Sequence, residues 1–325
     1  MNELTLDSII QDKREELGKV KERMLVSVRE SEASAPVKAL VTSVLGNTGK
    51  MIRPLMTLLA GGDCDPSKKD ELLWAAAAGE MLHTASLILD DLIDGAVLRR
   101  GKPSLPAERG SGVAVSAGTF LISAACSCLT QRGYTESASR LLRVIRLVSD
   151  GEMLQDLHRY DTHVSEELYM RCIEGKTAEP FAWSGSTAAM ISGKDVTAQT
   201  IMSMYGTAFG TVFQLEDDIR DWTVTAEDAG KPVLADFRNG IYTLPAIHTF
   251  HDRIYGGKLR SLAEKKDSIP EEELYEAKEI VRMAGGIDYA RESAEAKKKE
   301  AVTVLSMLPD GRYITDLRAL IRSRW

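Results

Sequence analysis

The stretch LLWAAAAGEMLHTASLILDDLID, residues 72–94, decides the fold class of this chain. Apolar and small residues cover almost every side of the helix that it predicts, until the stretch ends in Asp90, Asp91 and Asp94. A helix that is hydrophobic all round belongs in the interior of a bundle. The sequence therefore predicts a buried central helix with a cluster of carboxylates at its C-terminal end.

A second predicted helix repeats this pattern. From about residue 198 to 219 it is apolar nearly all round, and it leads into Asp217, Asp218 and Asp221. In both clusters the first and last aspartates are four residues apart, so their carboxylates share a helical face and repel each other. Poor solvation at the end of a buried helix increases that repulsion. We therefore expect a cation at each cluster.

Magnesium suits such clusters, because it prefers oxygen ligands and typically binds one or two carboxylates together with substrate phosphates. A calcium loop fits poorly, since neither cluster has acids at alternate positions followed by glycine. One cluster of this kind is often only a solvated helix end. Two copies, each at the end of a long apolar helix, favour a diphosphate site with bound metal ions.

The rest of the chain indicates an all-α protein. Apolar residues recur at three- and four-residue spacing, and there is no series of alternating segments joined by hairpin turns. Glycine and proline divide the chain into roughly ten helical pieces. No linker or repeat interrupts the pattern, so we predict a single domain over residues 1–325.

Composition excludes several functions. The net charge of −7 argues against a protein that wraps nucleic acid. The four cysteines show no second pair at zinc-like spacing. The N-terminus is not a signal peptide, and no segment approaches about 20 uninterrupted apolar residues, so we expect a cytoplasmic protein without a transmembrane segment.

Basic residues accompany the aspartates. Arg99 and Arg100 follow the first cluster in the motif RRGK, where the planar arginine fork suits phosphate and glycine admits close backbone approach. Lys50 and Arg53 share a face near a predicted helix N-terminus, which attracts anions. Two further lysines occupy GKT and GKP motifs: Lys176 and Lys231. Their common placement around the clusters indicates an anion site.

These motifs, in this order, resemble those of the trans-isoprenyl diphosphate synthases, the polyprenyl synthetase family. The matching segments run from about residue 49 to 245 and read GKMIRP, HTASLILDDLID, LRRGKP, GKTAEP, FQLEDDIRDW and DFRNGIYTLP. The resemblance implies the isoprenoid synthase type I fold, a single-domain helical bundle around a central cavity, usually as a homodimer. It also implies a magnesium-dependent enzyme that joins isopentenyl diphosphate to an allylic diphosphate (farnesyl or geranylgeranyl) and releases diphosphate.

The resemblance also assigns roles to individual residues. Up to three magnesium ions, bridged by the substrate diphosphate, would be bound by Asp90, Asp91, Asp94, Asp217, Asp218 and Asp221. The positions that match the isopentenyl diphosphate site are Lys50, Arg53, His83 and Arg100. Those that match the allylic diphosphate site are Arg99, Lys176, Thr177, Gln214 and Lys231. Catalytic roles fall on Asp90, Asp91, Asp94, Arg99, Lys176 and Asp217.

The chain departs from the family pattern at three places. Leu89 stands where many relatives carry histidine, and Gly118-Thr119 stands where a glycine–aspartate pair is common. Ile241 replaces a lysine that often lies two residues before the TLP motif. Because Lys231 remains, we expect weaker binding of the allylic diphosphate, measured as a raised KM, rather than loss of activity.

Three alternative functions stay open. A terpene cyclase also ionises a prenyl diphosphate, but such enzymes usually carry an Asn/Ser/Glu-type second metal motif instead of a second aspartate cluster. A shorter-chain (C20) synthase would share every motif described above. A non-catalytic or heteromeric subunit is the third alternative, although degenerate subunits tend to lose the aspartate clusters that this chain keeps.

Product length should depend on the residues beneath the first cluster. Reading backwards along the helix, that side carries Ser86, Ala85, Leu82, Ala78 and Trp74. The two nearest residues are small, whereas short-chain relatives often have an aromatic side chain there. At about 1.5 Å per residue, Trp74 lies roughly 24 Å below Asp90, which predicts about six to eight isoprene units, about C30–C40. If Leu82 is the floor, the product has about four units.

Replacing Ser86 with phenylalanine should shorten the product, because the ring would fill the space just beneath the aspartates. We expect the chain-length distribution, measured on the dephosphorylated products, to shift by at least one isoprene unit. An unchanged distribution in an active Ser86→Phe enzyme would contradict this pocket.

Overall fold

The computed structural model describes residues 5–62, 64–224 and 234–323. The helices of the N-terminal half are α1 (Leu6–Asp12), α2 (Arg14–Glu30), α3 (Ala35–Gly46), α4 (Ile52–Ala60), α5 (Lys69–Ile93), α6 (Leu105–Arg109), α7 (Ser111–Thr130) and α8 (Thr135–Leu157). Those of the C-terminal half are α9 (Glu166–Ile173), α10 (Glu179–Ile191), α11 (Val196–Thr223), α12 (Ala235–Arg238), α13 (Leu244–Phe250), α14 (Gly256–Ala263), α15 (Glu271–Met283), α16 (Gly286–Leu305) and α17 (Arg312–Arg322).

Other regular structure in these ranges is short. Two 3₁₀ turns (Pro66–Lys68 and Lys266–Ser268) and one π-helical turn (Glu174–Ala178) join or extend the helices. The strands β1 (Leu98–Arg99) and β2 (Lys102–Pro103) form a small antiparallel hairpin. The predicted all-α class is confirmed.

The chain forms two compact units. The first is drawn from Met1–Ile145, Pro180–Gly206 and Val302–Arg324, and the second from Arg146–Glu179 and Thr207–Ala301. Each unit is assembled from stretches that are distant in sequence. For this reason no linker marks a boundary between them along the chain.

Helix α5 forms the centre of the first unit. Every residue from 72 to 82 is buried, and the helix packs against α2, α4 and α7. Four consecutive alanines at 75–78 combine high helix propensity with small side chains, which lets neighbouring helices approach closely. At Gly79 a Cβ would lie 2.9 Å from the ring of Trp183. The predicted buried central helix is thus present.

Two glycines within the first unit let α10 and α11 pack backbone to backbone. A Cβ at Gly185 would lie 2.6 Å from the carbonyl oxygen of Met202, and one at Gly206 would lie 2.4 Å from that of Phe181. Side-chain carbons do not approach backbone oxygens so closely, and backbone cannot rotate aside as a flexible side chain can. Glycine is therefore required where these helices meet.

Replacing Gly206 with alanine should separate the two helices and lower the free energy of unfolding by about 1–3 kcal/mol, the usual cost of overpacking. Thermal unfolding measures this as a lower Tm. Gly18→Ala is the matched control, because a Cβ at Gly18 in α2 meets nothing within 4 Å. That change should raise stability by about 0.5–1 kcal/mol. Equal effects of the two substitutions would contradict the close packing.

An aromatic cluster anchors the second unit. The ring of Phe237 lies 5.5 Å from that of Trp222 and 5.4 Å from that of Tyr242, whose ring is 5.0 Å from Phe250. The indole N–H of Trp222 also donates to the hydroxyl of Thr243 at 3.2 Å. These contacts fix the segment 234–243 against the last turn of α11, which carries the second aspartate cluster.

Among the residues that the structure describes, two stretches are long and apolar enough to cross a membrane by length and composition, Pro66–Ile93 and Ser111–Thr130. The most apolar windows of these stretches are 72% and 44% buried, respectively. Burial of the first is typical of the core helix of a globular protein. The expected absence of a transmembrane segment stays a prediction.

Candidate active site

The first aspartate cluster lies where α5 ends. Asp91 is 4% exposed, whereas Asp90 is half-buried and Asp94 is exposed. Carboxylates are unfavourable here, because the C-terminal end of a helix carries partial negative charge. Arg99 offsets part of this charge, since its Nε and Nη2 donate to Oδ1 of Asp91 at 2.9 and 2.5 Å. The structure thus pairs a predicted metal ligand with a predicted diphosphate ligand.

The hairpin after α5 positions the second arginine of the RRGK motif. Arg100 and Gly101, between β1 and β2, have φ angles of 53° and 74°, as a type I′ turn requires. With this turn, Nη1 of Arg100 donates to the carbonyl oxygen of Asn47. Gly49 leaves the necessary room, because a Cβ there would lie 2.6 Å from Nη2 of Arg100. The RRGK and GKMIRP motifs therefore meet in space.

Arg53, the second residue of α4, is buried. Its guanidinium group lies 4.6 Å from the ring centroid of Phe181, and its Nε has no hydrogen-bond partner in the described ranges. Burial lowers the pKa of Arg53 to about 10, an effect that the negative charges of Glu80 and Asp90 oppose. The group stays cationic at neutral pH. A buried cation with an unused donor is suited to bind an anion.

Glu80 is a site residue that the sequence interpretation missed. It is 3% exposed, and its Oε2 has no hydrogen-bond partner among the described residues. Burial raises the pKa of Glu80 to about 7, although the charges of Arg53 and Arg100 oppose the rise. The signal was visible in the sequence as one acid inside an otherwise apolar helix, since a buried acid is costly unless it has a partner.

His83 and Lys50, which are also predicted to bind isopentenyl diphosphate, differ in burial. Burial and the neighbouring guanidinium groups of Arg53 and Arg100 hold the pKa of His83 well below its ordinary value. The imidazole is therefore neutral and can donate a hydrogen bond without adding charge. Lys50 is exposed, just before α4 begins. Of the predicted set, Arg53 is buried, His83 is half-buried, and Lys50 and Arg100 are exposed.

A cavity of about 920 Å³ within the first unit connects these groups. Its polar lining includes Glu80, His83, Asp91, Arg99, Arg100 and Lys102. Its apolar lining includes Leu40, Val44, Leu87, Ile88, Leu105 and Val113. A cavity with a cationic region and an apolar region suits a ligand that has an anionic head and a hydrocarbon tail.

The residues predicted to set product length do not line this cavity, as far as the described ranges show. Ser86 is half-buried and its hydroxyl donates to the carbonyl oxygen of His83 at 2.9 Å. The buried members of the set are Trp74, Ala78, Leu82 and Ala85. Trp74 packs against Arg132, whose guanidinium carbon is 3.6 Å from the ring centroid. Their role in product length stays a prediction.

The second aspartate cluster lies in the last turns of α11, in the second unit. Asp217 is exposed and forms an ion pair with Arg220 at 3.3 Å. Asp218 is 2% exposed. Asp221 is half-buried, and its Oδ2 has no hydrogen-bond partner in the described part of the chain. The three carboxylates thus have three different environments.

Asp236 on α12 adds a fourth carboxylate, which the sequence interpretation also missed. Burial and the negative charge of Asp236 raise the pKa of Asp221 to about 7. Burial, with a further rise from Asp236, raises the pKa of Asp218 to about 8. Burial is the larger cause of both shifts, and the negative charge of Asp236 adds to it. The sequence signal for Asp236 was the DFR pattern, which follows the second aspartate cluster.

Magnesium fits this donor set. Within the described ranges, no three Asp, Glu, His or Cys side chains converge closely enough to hold an ion by themselves. Magnesium does not require three, because it commonly takes one or two carboxylates and completes its coordination with substrate phosphates and water. The oxygen of Asp221 that has no hydrogen-bond partner in the described ranges, near the carboxylates of Asp217 and Asp236, suits a cation that binds together with a diphosphate.

Three of the residues predicted for the allylic diphosphate lie in the second unit. Lys176 and Thr177 belong to the π-helical turn Glu174–Ala178. The hydroxyl of Thr177 donates to Oε1 of Gln214 on α11 at 2.9 Å. Such π turns are rare and often mark functional sites. Lys231, also predicted for this site, lies outside the described residues.

Residues 34–281 match the family model described as polyprenyl synthetase. The chain belongs to this family. It is 30% identical over 269 residues to the octaprenyl diphosphate synthase of Haemophilus influenzae, covering 82% of this chain and 80% of the relative. It is 31% identical over 276 residues to heptaprenyl diphosphate synthase component 2 of Bacillus subtilis, covering 84% and 78%.

A solved structure shows the same fold. A polyprenyl synthase from Caulobacter crescentus, crystallised with calcium and isoprenyl diphosphate, superposes with a TM-score of 0.89. The superposition covers 99% of this chain and 97% of that one, at 28% identity. The predicted family, fold class and enzyme class, a prenyltransferase of the polyprenyl synthetase family, are confirmed. The roles of individual site residues stay predictions.

Proposed function

We propose that this polyprenyl synthetase condenses isopentenyl diphosphate with an allylic diphosphate, farnesyl or geranylgeranyl diphosphate, in a magnesium-dependent reaction. One observation carries the proposal: in the first unit, Arg99 and Arg100 line a cavity that also has an apolar region. Arg53 is buried beside Glu80 of the same cavity. This arrangement suits a diphosphate joined to a hydrocarbon.

The reaction requires little covalent chemistry from the side chains, which act mainly by binding and by electrostatic stabilisation. The guanidinium groups and Lys176 bind the diphosphates and stabilise the charge that develops on the departing one, an effect that is largest in the transition state. Magnesium, when bound, supplies further neutralisation of that charge. The apolar lining excludes water from the allylic carbocation. Holding the two substrates close together makes the attack of the double bond effectively intramolecular.

We propose a medium or long trans-polyprenyl product of about C30–C40, from the depth beneath the first cluster. The printed names of the two relatives, an octaprenyl and a heptaprenyl synthase, support that range. The second relative is named a component, which keeps open a heteromeric enzyme in which this chain needs a partner subunit. A C20 product remains the alternative if the floor of the pocket is higher.

We also propose that the two units form one polyprenyl synthetase domain over residues 1–325, and that the protein is a cytoplasmic homodimer. The family match runs through stretches of both units, which supports one domain. Helix α7 supports the dimer, because Val113 and Val115 are exposed on it at 37% and 46%. Exposed apolar side chains on one helix suit a protein–protein interface.

Turnover by the isolated chain tests the reaction. With isopentenyl diphosphate, farnesyl diphosphate and magnesium, we expect prenyl diphosphates of six to eight units, and none after chelation of the metal. Asp90→Asn and Asp217→Asn should each lower kcat by about 10²–10³, the loss typical of one electrostatic contact to a transition state. Asp288→Asn is the control, because Asp288 is an exposed aspartate that forms an ion pair with Arg291, three residues away in sequence.

The outcomes separate the alternatives. Products that end at four isoprene units would still support the proposed reaction, but they would place the floor of the pocket higher, nearer to the aspartates. A cyclised hydrocarbon would identify a cyclase. No elongation with any primer, under conditions in which the chain is folded, would contradict the proposal and favour the partner-dependent subunit.

The oligomeric state has its own test. Light scattering should give twice the chain mass, and Val115→Arg should give the single-chain mass, because a buried charge weakens an apolar interface. Val196→Arg is the matched control, since Val196 is also exposed in the first unit but lies on α11. A single-chain mass for the unmodified protein contradicts the homodimer.

A further inference from the structure

A chain of hydrogen bonds within the second unit joins α9 to two elements that carry predicted site residues, α11 and the π-helical turn. The hydroxyl of Tyr169 on α9 donates to Oδ2 of Asp218 on α11 at 2.5 Å. The side-chain amide of Gln214, one turn earlier on α11, donates to Oδ1 of the same carboxylate at 2.7 Å. Oε1 of Gln214 then accepts from the hydroxyl of Thr177 in the π-helical turn at 2.9 Å.

Asp218 differs from the other two aspartates of its cluster. Both of its oxygens accept hydrogen bonds from protein donors, and the residue is 2% exposed. Asp217 is exposed, and Oδ2 of Asp221 has no partner among the described residues. Protein donors thus already occupy the oxygens of Asp218, whereas an oxygen of Asp221 is available to a cation.

Tyr169 is suited to this role by its own surroundings. It is 6% exposed, so few water molecules can compete for the carboxylate. Loss of this donor would leave an oxygen of the buried carboxyl group without its hydrogen bond, which costs more than the loss of an exposed hydrogen bond.

These hydrogen bonds attach the segment formed by α9 and the π-helical turn to α11 at two points. Tyr169 and Thr177 lie eight residues apart at the two ends of the α9–π segment, and Lys176 lies between them. Their partners, Asp218 and Gln214, are four residues apart and share a face of α11. The hydroxyl of Tyr169 fixes the carboxylate, the carboxylate orients the amide of Gln214, and the amide orients the hydroxyl of Thr177.

We infer that Tyr169 is a positioning residue for the diphosphate site: its hydroxyl holds Asp218 as a hydrogen-bonded acceptor and so aligns the π-helical turn with the second aspartate cluster. In this arrangement Asp217 and Asp221 are the metal-binding members of the cluster, and Asp218 acts through its hydrogen bonds. The inference rests on the proposed function, because it concerns how the same site binds its metal-bound allylic diphosphate.

Tyr169→Phe is the direct test, because it removes the hydroxyl and keeps the ring. We expect the KM for the allylic diphosphate and the magnesium concentration for half-maximal rate to rise by about tenfold, as loss of one hydrogen bond to a charged group implies. The KM for isopentenyl diphosphate should change by less than about twofold, since the residues assigned to it lie in the first unit. If Tyr169 only stabilised the fold, the substitution would not raise the KM for one substrate and leave the KM for the other unchanged.

Two tyrosines of the same unit provide matched controls. Tyr289→Phe removes a hydroxyl that donates to the carboxylate of Glu166 at 2.8 Å. Tyr242→Phe removes a buried hydroxyl that has no hydrogen-bond partner in the described ranges. Neither should change the magnesium dependence. Circular dichroism and thermal unfolding of all three variants establish that each is folded at the assay temperature.

The outcomes distinguish this inference from the proposed function. An active parent enzyme whose Tyr169→Phe variant keeps its allylic KM and its magnesium dependence overturns the role of Tyr169 alone. A variant that shifts both substrates equally, or only lowers Tm, also overturns it. A folded parent chain without magnesium-dependent turnover overturns the proposed function and the inference together.

Discussion

The structure is governed by the cost of placing carboxylates at the C-terminal ends of buried helices. Such a helix end already carries partial negative charge, and the apolar surroundings weaken solvation. Each cluster therefore needs positive charge or hydrogen-bond donors from elsewhere in the chain. The short hairpin after α5 supplies Arg99 to the first cluster. Helix α9 and α11 itself supply Tyr169 and Gln214 to the second.

The two units stabilise their buried aspartates in the same way. In each cluster the most buried aspartate is bound by protein donors: Asp91 by an arginine, and Asp218 by a tyrosine and an amide. An exposed aspartate lies on the same helix end in each case, Asp94 and Asp217. The most buried carboxylate of each cluster is therefore bound by protein donors, whereas the exposed one lies at the surface.

The fold and the charged motifs could be predicted from the sequence because they depend on local patterns. Helical periodicity gave the all-α class, and the spacing of acids and bases indicated a diphosphate site. Glu80 and Asp236 had a signal in the sequence, an acid inside an apolar helix and the DFR pattern, but Tyr169 had none. The importance of Tyr169 comes from a partner brought close by the tertiary structure, since it contacts a residue 49 positions away. No periodicity encodes such a contact.

The arginines of the first unit show what the structure adds to the motifs. Each guanidinium group is fixed by a different partner: Arg53 by the ring of Phe181, Arg99 by Asp91, and Arg100 by the carbonyl oxygen of Asn47. Cations held in place lose little conformational freedom when an anion binds, so more of the interaction energy is available for the transition state. A lysine on a flexible stem would lose more of that energy to ordering. The sequence shows that the charges exist, and the structure shows that each guanidinium group is held in a fixed place.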